Sequence, residues 1–146
     1  MKDSTQTNNV QSGANLVAYY TIEGVPISLK RPRFGLGHVY DSQKKEKFGV
    51  QIQLKSQHEF SSAFEGPLQL DVTFFMPMPQ RLHRKYFAGS FPPHHARPDL
   101  DNLLKWLLDN LNEVIIKDDS QIYAITARKV YSEVSRTEFS LTRLES

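Results

Sequence analysis

The sequence predicts an α+β fold: a single compact domain in which a mixed β-sheet packs against one or two helices. Three observations carry this. Residues 68–76 alternate Leu68, Leu70, Val72, Phe74 and Met76 with Gln69, Asp71, Thr73 and Phe75, the period of a half-buried strand. Residues 100–111 place Leu100, Leu103, Leu104, Leu107, Leu108 and Leu111 on one stripe at helical spacing. A chain of 146 residues with 39% hydrophobic content can bury one core without staples.

The elements follow in order. Residues 1–15 are rich in Ser, Thr, Asn, Gln and Gly and are expected to form a disordered tail ahead of a domain over 16–146. Residues 16–22 are rich in Val, Tyr and Ile and read as a strand. After the Glu23-Gly24 turn, 25–29 return as an edge strand, since Pro26 cannot donate to a ladder. Residues 30–37 form a basic loop kept irregular by Pro32, Gly35 and Gly37. Asp41 or Ser42 would cap a helix over 44–57; Lys, Glu and Gln favour it, although Val50, Ile52 and Leu54 alternate as in a strand. Pro77 and Pro79 end the strand at 68–76, and 80–98 is a basic loop of a length that is usually functional or disordered. Asp99 after Pro98 suits a helix N-cap, with Asp101 in the first turn. Val114, Ile115 and Ile116 form a short apolar piece, 117–120 a turn, and 121–131 and 137–144 two strands joined by a hairpin turn at 132–135.

Composition excludes several classes. There is no cysteine, which rules out disulfide scaffolds, thiolate metal sites and thiol catalysis. No run of 18 apolar residues exists, and the polar start lacks the apolar core of a signal peptide, so a cytoplasmic protein without membrane association is expected. The net charge of +2 is unevenly spread. Lys30, Arg31, Arg33, Lys44, Lys45 and Lys47 face only Asp41 and Glu46 over 28–48, and Arg81, Arg84, Lys85 and Arg97 face no acid over 81–97. The remainder of the chain is acidic. Two basic blocks on an acidic background point to an anionic partner, with nucleic acid foremost, or to two solvated loops.

The acids make a second pattern. Asp99 and Asp101 bound the start of the leucine helix, Lys105 lies four residues beyond Asp101, and Asp118-Asp119 follow the helix. Hard cations such as Mg²⁺ take oxygen ligands, commonly one or two carboxylates with water and substrate phosphate. The acids would converge only if the apolar piece at 114–116 carried the chain back along the helix, which travels about 16 Å in 11 residues. The plainer reading is a cap, a dipole-matching acid, an i,i+4 ion pair and a turn. His94-His95 would ligate a metal with Asp99 or simply line the anionic partner. Trp106 falls off the leucine stripe and is expected to pack, at a subunit interface, rather than stack on a base.

The run Arg97-Pro98-Asp99-Leu100-Asp101-Asn102-Leu103-Leu104-Lys105, then Leu108-Asp109-Asn110-Leu111-Asn112, then Lys117-Asp118-Asp119-Ser120-Gln121-Ile122 resembles the RusA family of Holliday junction resolvases, phage members included. The shared pattern is Asp-x-Asp-Asn-x-x-Lys, a leucine-rich helix, and Asp-Asp-x-Gln-Val, here with Ile122 for the Val. The likeness extends over residues 17–145. It implies an endonuclease that binds four-way DNA junctions as a homodimer and cuts two strands symmetrically with Mg²⁺, for which Mn²⁺ can substitute. It also implies that Asp99, Asp101 and Asp119 bind the metal, with Asp118 as the alternative third ligand, and that Lys105 is the catalytic lysine. Lys30, Arg31, Arg33, Arg81, Arg84, Lys85 and Arg97 would contact DNA. Two rivals stand beside it. A restriction-type nuclease signature would begin at Pro98-Asp99 but fails at Asp119-Ser120-Gln121, which lacks the lysine. A non-catalytic DNA-junction-binding module is the alternative from another class.

Overall fold

The computed structural model describes residues 9–12, 15–30, 33–35, 38–40, 43–86 and 89–144. Strand β1 is Asn9–Ser12, β2 Asn15–Glu23, β3 Arg33–Gly35, β4 His38–Tyr40, β5 Leu68–Pro77, β6 Ile122–Ser132 and β7 Arg136–Arg143; helix α1 is Lys44–Gln57 and α2 Leu100–Leu111. Five strands form a mixed sheet in the order β1-β2-β7-β5-β6, and β3 pairs with β4. The expected α+β class, with a mixed sheet and two helices, is what the chain adopts.

Strand β5 sits inside the sheet, antiparallel to β7 and parallel to β6. Its Leu68, Leu70 and Val72 are fully buried and Phe74 and Met76 nearly so, each contributing about 1.5–3 kcal/mol in transfer from water. They meet Ala18, Tyr20 and Ile22 of β2, Phe139 and Leu141 of β7, and the inner faces of both helices in one cluster. Alternation was legible here because one sheet face is covered by helices and the other is open.

Helix α2 buries Leu103, Trp106, Leu107, Asn110 and Leu111, with Leu100, Leu104 and Leu108 partly buried against the same core. The buried centre is therefore turned toward Trp106. At 5% exposure Trp106 belongs to the core of its own chain, not to a subunit interface as expected. Helix α1 has the expected bounds, but its N-cap position is Gln43, without a side-chain capping bond, and the expected caps Asp41 and Ser42 lie outside the described residues; its apolar seam is thin, Val50 and Leu54. Ile52, the third member of the apparent alternation, points to solvent at 52% exposure. Polar bonds supply what that seam lacks. The Gln57 amide donates to Thr21 O (2.6 Å) and accepts from Thr21 N (2.8 Å), and Gln53 accepts from Glu23 N. These side chains stand where a neighbouring strand would, beyond the stretch of β2 that β1 covers.

Four further expectations are corrected. The tail at 1–15 falls largely outside the described residues, but within it Asn9–Ser12 form β1, in register from Asn9 opposite Ala18 to Ser12 opposite Asn15. Edge pairing uses backbone groups and needs no apolar side chains, so composition did not reveal it. Residues 25–29 form no strand; Leu29 N instead bonds Asn102 O, tying the segment to α2. The basic loop at 30–37 contains β3, part of a hairpin with β4. Strands β6 and β7 are not hairpin partners, because β5 lies between them. Their short connection crosses the end of β5, where Ser132 is opposite Pro77 and Arg136 opposite Phe75.

Candidate active site

The long basic segment reaches the first candidate acid along the outer edge of β6. It opens with a 3₁₀ turn, Gln80–Leu82, on which Arg81 is exposed, as are Arg84 and Lys85 beyond it. Its second half is fastened to β6: Tyr131 N donates to Pro92 O (2.8 Å) and His94 N to Lys129 O (3.1 Å). Phe91 lies edge-to-face on Phe75, whose ring also carries the Arg136 guanidinium at 3.8 Å. The Lys129 ammonium then donates to Ala96 O (2.5 Å) and Pro98 O (2.6 Å). Arg97 is exposed between them, and Asp99 follows at once.

Asp99 occupies the N-cap position with extended backbone angles, and its carbonyl accepts from Leu103 N. Its side chain makes no capping bond, so the capping role considered for it is not realised. The carboxylate is left exposed and available. Asp101, in the first turn, lies 3.9 Å from the Lys105 ammonium one turn on, with both side chains more than half exposed. Such a pair adds a few tenths of a kcal/mol to the helix at most. Its value is positional: two carboxylates and an ammonium share the start of α2.

The second pair of acids divides its labour. Asp118 caps the 3₁₀ turn Asp119–Gln121, accepting from Ser120 N at 2.9 Å. The Ser120 hydrogen bonds hold its carboxyl below the ordinary value. Gln121 completes the box. Its oxygen accepts from Lys117 N and Asp118 N, and its nitrogen donates to Phe64 O and Gly66 O. All four of its usual hydrogen-bonding positions are engaged, which explains why a glutamine suits this place. Asp119 is exposed; its backbone carbonyl accepts from Ile122 N, and its carboxylate bonds to no described residue. The two neighbours thus differ: the Asp118 carboxylate is engaged with the backbone and the Asp119 carboxylate is not.

Among the described residues, no three His, Asp or Glu side chains lie close enough together to hold one metal ion. Asp99, Asp101 and Asp119 are therefore not gathered into a preformed cage. The piece at 114–116, which would have had to carry the chain back along the helix for the acids to converge, turns in place: Ile115 N and Ile116 N bond Leu111 O, Glu113 N bonds Ile116 O, and Ile115 and Ile116 fill the core. The donor set at the start of α2 still suits Mg²⁺, which keeps several waters and needs only one or two carboxylates alongside substrate phosphate.

Of the expected DNA contacts, Lys30, Arg81, Arg84, Lys85 and Arg97 are exposed. Arg31 lies outside the described residues, and Arg33 is on β3, where only the backbone is described. His95 is exposed, whereas His94 is buried against Tyr131, with Nδ1 unpartnered among the described residues. Burial pushes the His94 imidazole below its ordinary value, and the Lys129 ammonium adds to this. The folded chain then holds that proton less well than the unfolded chain. Stability attributable to His94 is present above about pH 6.5, the unfolded imidazole value, and is lost as pH falls through it. Melting curves across that range check this: wild type should lose more stability on acidification than His94→Phe. Two residues here escaped sequence reasoning in their roles. Gln121 was read only as part of a pattern, and Lys129 only as strand.

No helix among the described residues is long and apolar enough to cross a membrane. The family model described as endodeoxyribonuclease RusA matches residues 23–142. The chain is 33% identical over 138 residues to the uncharacterized protein YqaN of Bacillus subtilis, covering 87% of this chain and 96% of the relative. It is 34% identical over 108 residues to the crossover junction endodeoxyribonuclease rusA of Lactococcus phage r1t, covering 72% of this chain and 77% of that protein. The matched span runs from the end of β2 to β7 and takes in every candidate acid and Lys105, so the uncapped Asp99, its neighbours on α2 and the box around Asp118 belong to a member of the RusA endodeoxyribonuclease family.

Proposed function

We propose that this chain is a Mg²⁺-dependent, structure-selective endonuclease that binds four-way DNA junctions as a homodimer and resolves them by paired, symmetric phosphodiester hydrolysis in the cytoplasm. The observation that carries it is the pair Asp99 and Asp101 at the start of α2, one carboxylate released from capping and the other beside Lys105. The family adds the reaction class.

Asp99 and Asp101 would hold the cation, with Asp119 as the third acid. When bound, Mg²⁺ or Mn²⁺ supplies Lewis-acid polarisation of the scissile phosphate and acidifies water. Lys105 has a flexible stem and an exposed ammonium, and would stabilise the charge that builds on the phosphoryl oxygens in the transition state. Lys30, Arg31, Arg33, Arg81, Arg84, Lys85 and Arg97 would bind the backbone, so affinity should fall steeply with salt. Two cuts related by symmetry call for two copies of the site, which a C₂ dimer provides.

The test is cleavage of a synthetic four-way junction against a linear duplex of the same sequence, with Mg²⁺ and with chelator. Paired, metal-dependent nicks in the junction alone are expected. Junction binding without nicks would make the chain a non-catalytic junction-binding module. A second expectation separates the adjacent acids. Asp119→Asn should lower cleavage about 100-fold, the scale of losing one electrostatic contributor. Asp118→Asn should cleave near normally and cost under about 1 kcal/mol of stability, since asparagine also caps. Parallel cleavage rates and melting curves check both.

A further inference from the structure

We infer that Lys129 is a positioning residue of the nuclease site, fixing the segment that delivers Asp99. The inference rests on the proposed role of Asp99 as a cation ligand.

Residues 96–98 belong to no strand or helix, yet they set where Asp99 begins α2. The backbone of β6 holds the segment just upstream, through Lys129 O, Tyr131 N and the bridge between Pro93 and Val130. The Lys129 side chain takes over where that pairing stops. Its ammonium spans Arg97, donating to the carbonyls of Ala96 and Pro98 on either side. No described carboxylate lies within ion-pair distance of it; the described ion pair of β6 is made by Arg128, with Asp71 of β5. A partly buried lysine spent on two carbonyls beside a candidate catalytic acid is organised for placement. An ammonium has three donors, so the position of these two oxygens is fixed while one donor remains. Reactive geometry is sensitive to displacements of about 1 Å, which can cost about 100-fold in rate, and loss of an outer partner of a metal ligand commonly weakens metal affinity about 10- to 100-fold.

The test compares wild type, Lys129→Met, Lys129→Arg and Asp99→Asn as full chains on a four-way junction. Three quantities are read: the single-turnover cleavage rate, its Mg²⁺ midpoint, and junction Kd with Ca²⁺ in place of Mg²⁺. Lys129→Met keeps the stem and removes the donors. It should cut about 100-fold more slowly and need about tenfold more Mg²⁺, with Kd unchanged. Lys129→Arg, whose guanidinium can also donate to two carbonyls, should recover most of the rate. A Kd that weakens in step with the rate would make Lys129 a phosphate contact and overturn the inference, as would an unchanged rate and Mg²⁺ midpoint. If Lys129→Met does not fold by circular dichroism, Lys129→Leu, which also removes the donors, is held to the same criteria. Normal cleavage by Asp99→Asn would instead overturn the nuclease reading beneath the inference, whatever Lys129 does.

Discussion

Asp101→Asn and Asp99→Asn are each expected to lower junction cleavage by about 1,000-fold or more, the scale on which loss of a principal catalytic group is felt, while junction binding stays level or tightens. The two effects part because a carboxylate near a phosphodiester repels it until a cation sits between them. Replacing the acid removes the ligand and the repulsion together. Neither substitution should disturb the fold: Asp99 makes no capping bond, and Asp101 makes only an exposed ion pair. A thermal shift gives an independent reading. With Mg²⁺ at about ten times its Kd, ligand linkage adds about 1.4 kcal/mol, and at about 2–4 °C per kcal/mol that is roughly 3–6 °C in Tm. Wild type should show it and Asp101→Asn should not. Lys105→Ala supplies the contrast, with cleavage down about 100-fold but the Mg²⁺-dependent shift retained. If both aspartate variants cut normally, these acids only decorate the start of a helix.

What the sequence revealed of this fold depended on how each element is buried. Strand β5 is covered on one face and α2 packs one side on the core, so both carry the period of their geometry. Helix α1 buries only Val50 and Leu54 and leans on the Gln53 and Gln57 amides, so its pattern read as helix and strand at once. Strand β1, Asn9–Ser12, has a mostly polar sequence and pairs with β2 through the backbone, so it carries no run of apolar letters. The site divides in the same way. The acids and Lys105 fall within one short stretch and a spaced partner, so their chemistry shows in the letters. The Lys129 bonds to Ala96 and Pro98 join residues 31 to 33 positions apart, and the Gln121 bonds to Phe64 and Gly66 span more than 50. No local pattern encodes such contacts. Nor could spacing say that Asp118, and not Asp119, is consumed by a capping box.

Trp106→Ala should cost about 3–5 kcal/mol, as removal of a large core side chain does, and lower Tm by roughly 6–20 °C at about 2–4 °C per kcal/mol. Trp106 is 5% exposed on the inner side of α2, in the cluster that contains Phe74, Leu107 and Val50. Its carbonyl also receives the Asn110 Nδ2 hydrogen bond at 2.9 Å, inside the same core. An indole at a subunit interface or against a base would behave differently: truncation would leave the fold within about 0.5 kcal/mol of wild type, and for a stacked base the loss would fall on DNA affinity, by about 1–3 kcal/mol. Chemical denaturation and junction binding on the same variant therefore separate the three roles. A stability loss at constant per-molecule affinity places Trp106 in the core. The loss would also fall on function at assay temperature, because α2 carries Asp101 and Lys105 on its outer side while Trp106 anchors its inner side. A domain with a typical reserve of about 5–15 kcal/mol would then bind and cut fully at low temperature and lose both activities together on warming, whereas Asp101→Asn would fail to cut at every temperature at which it binds.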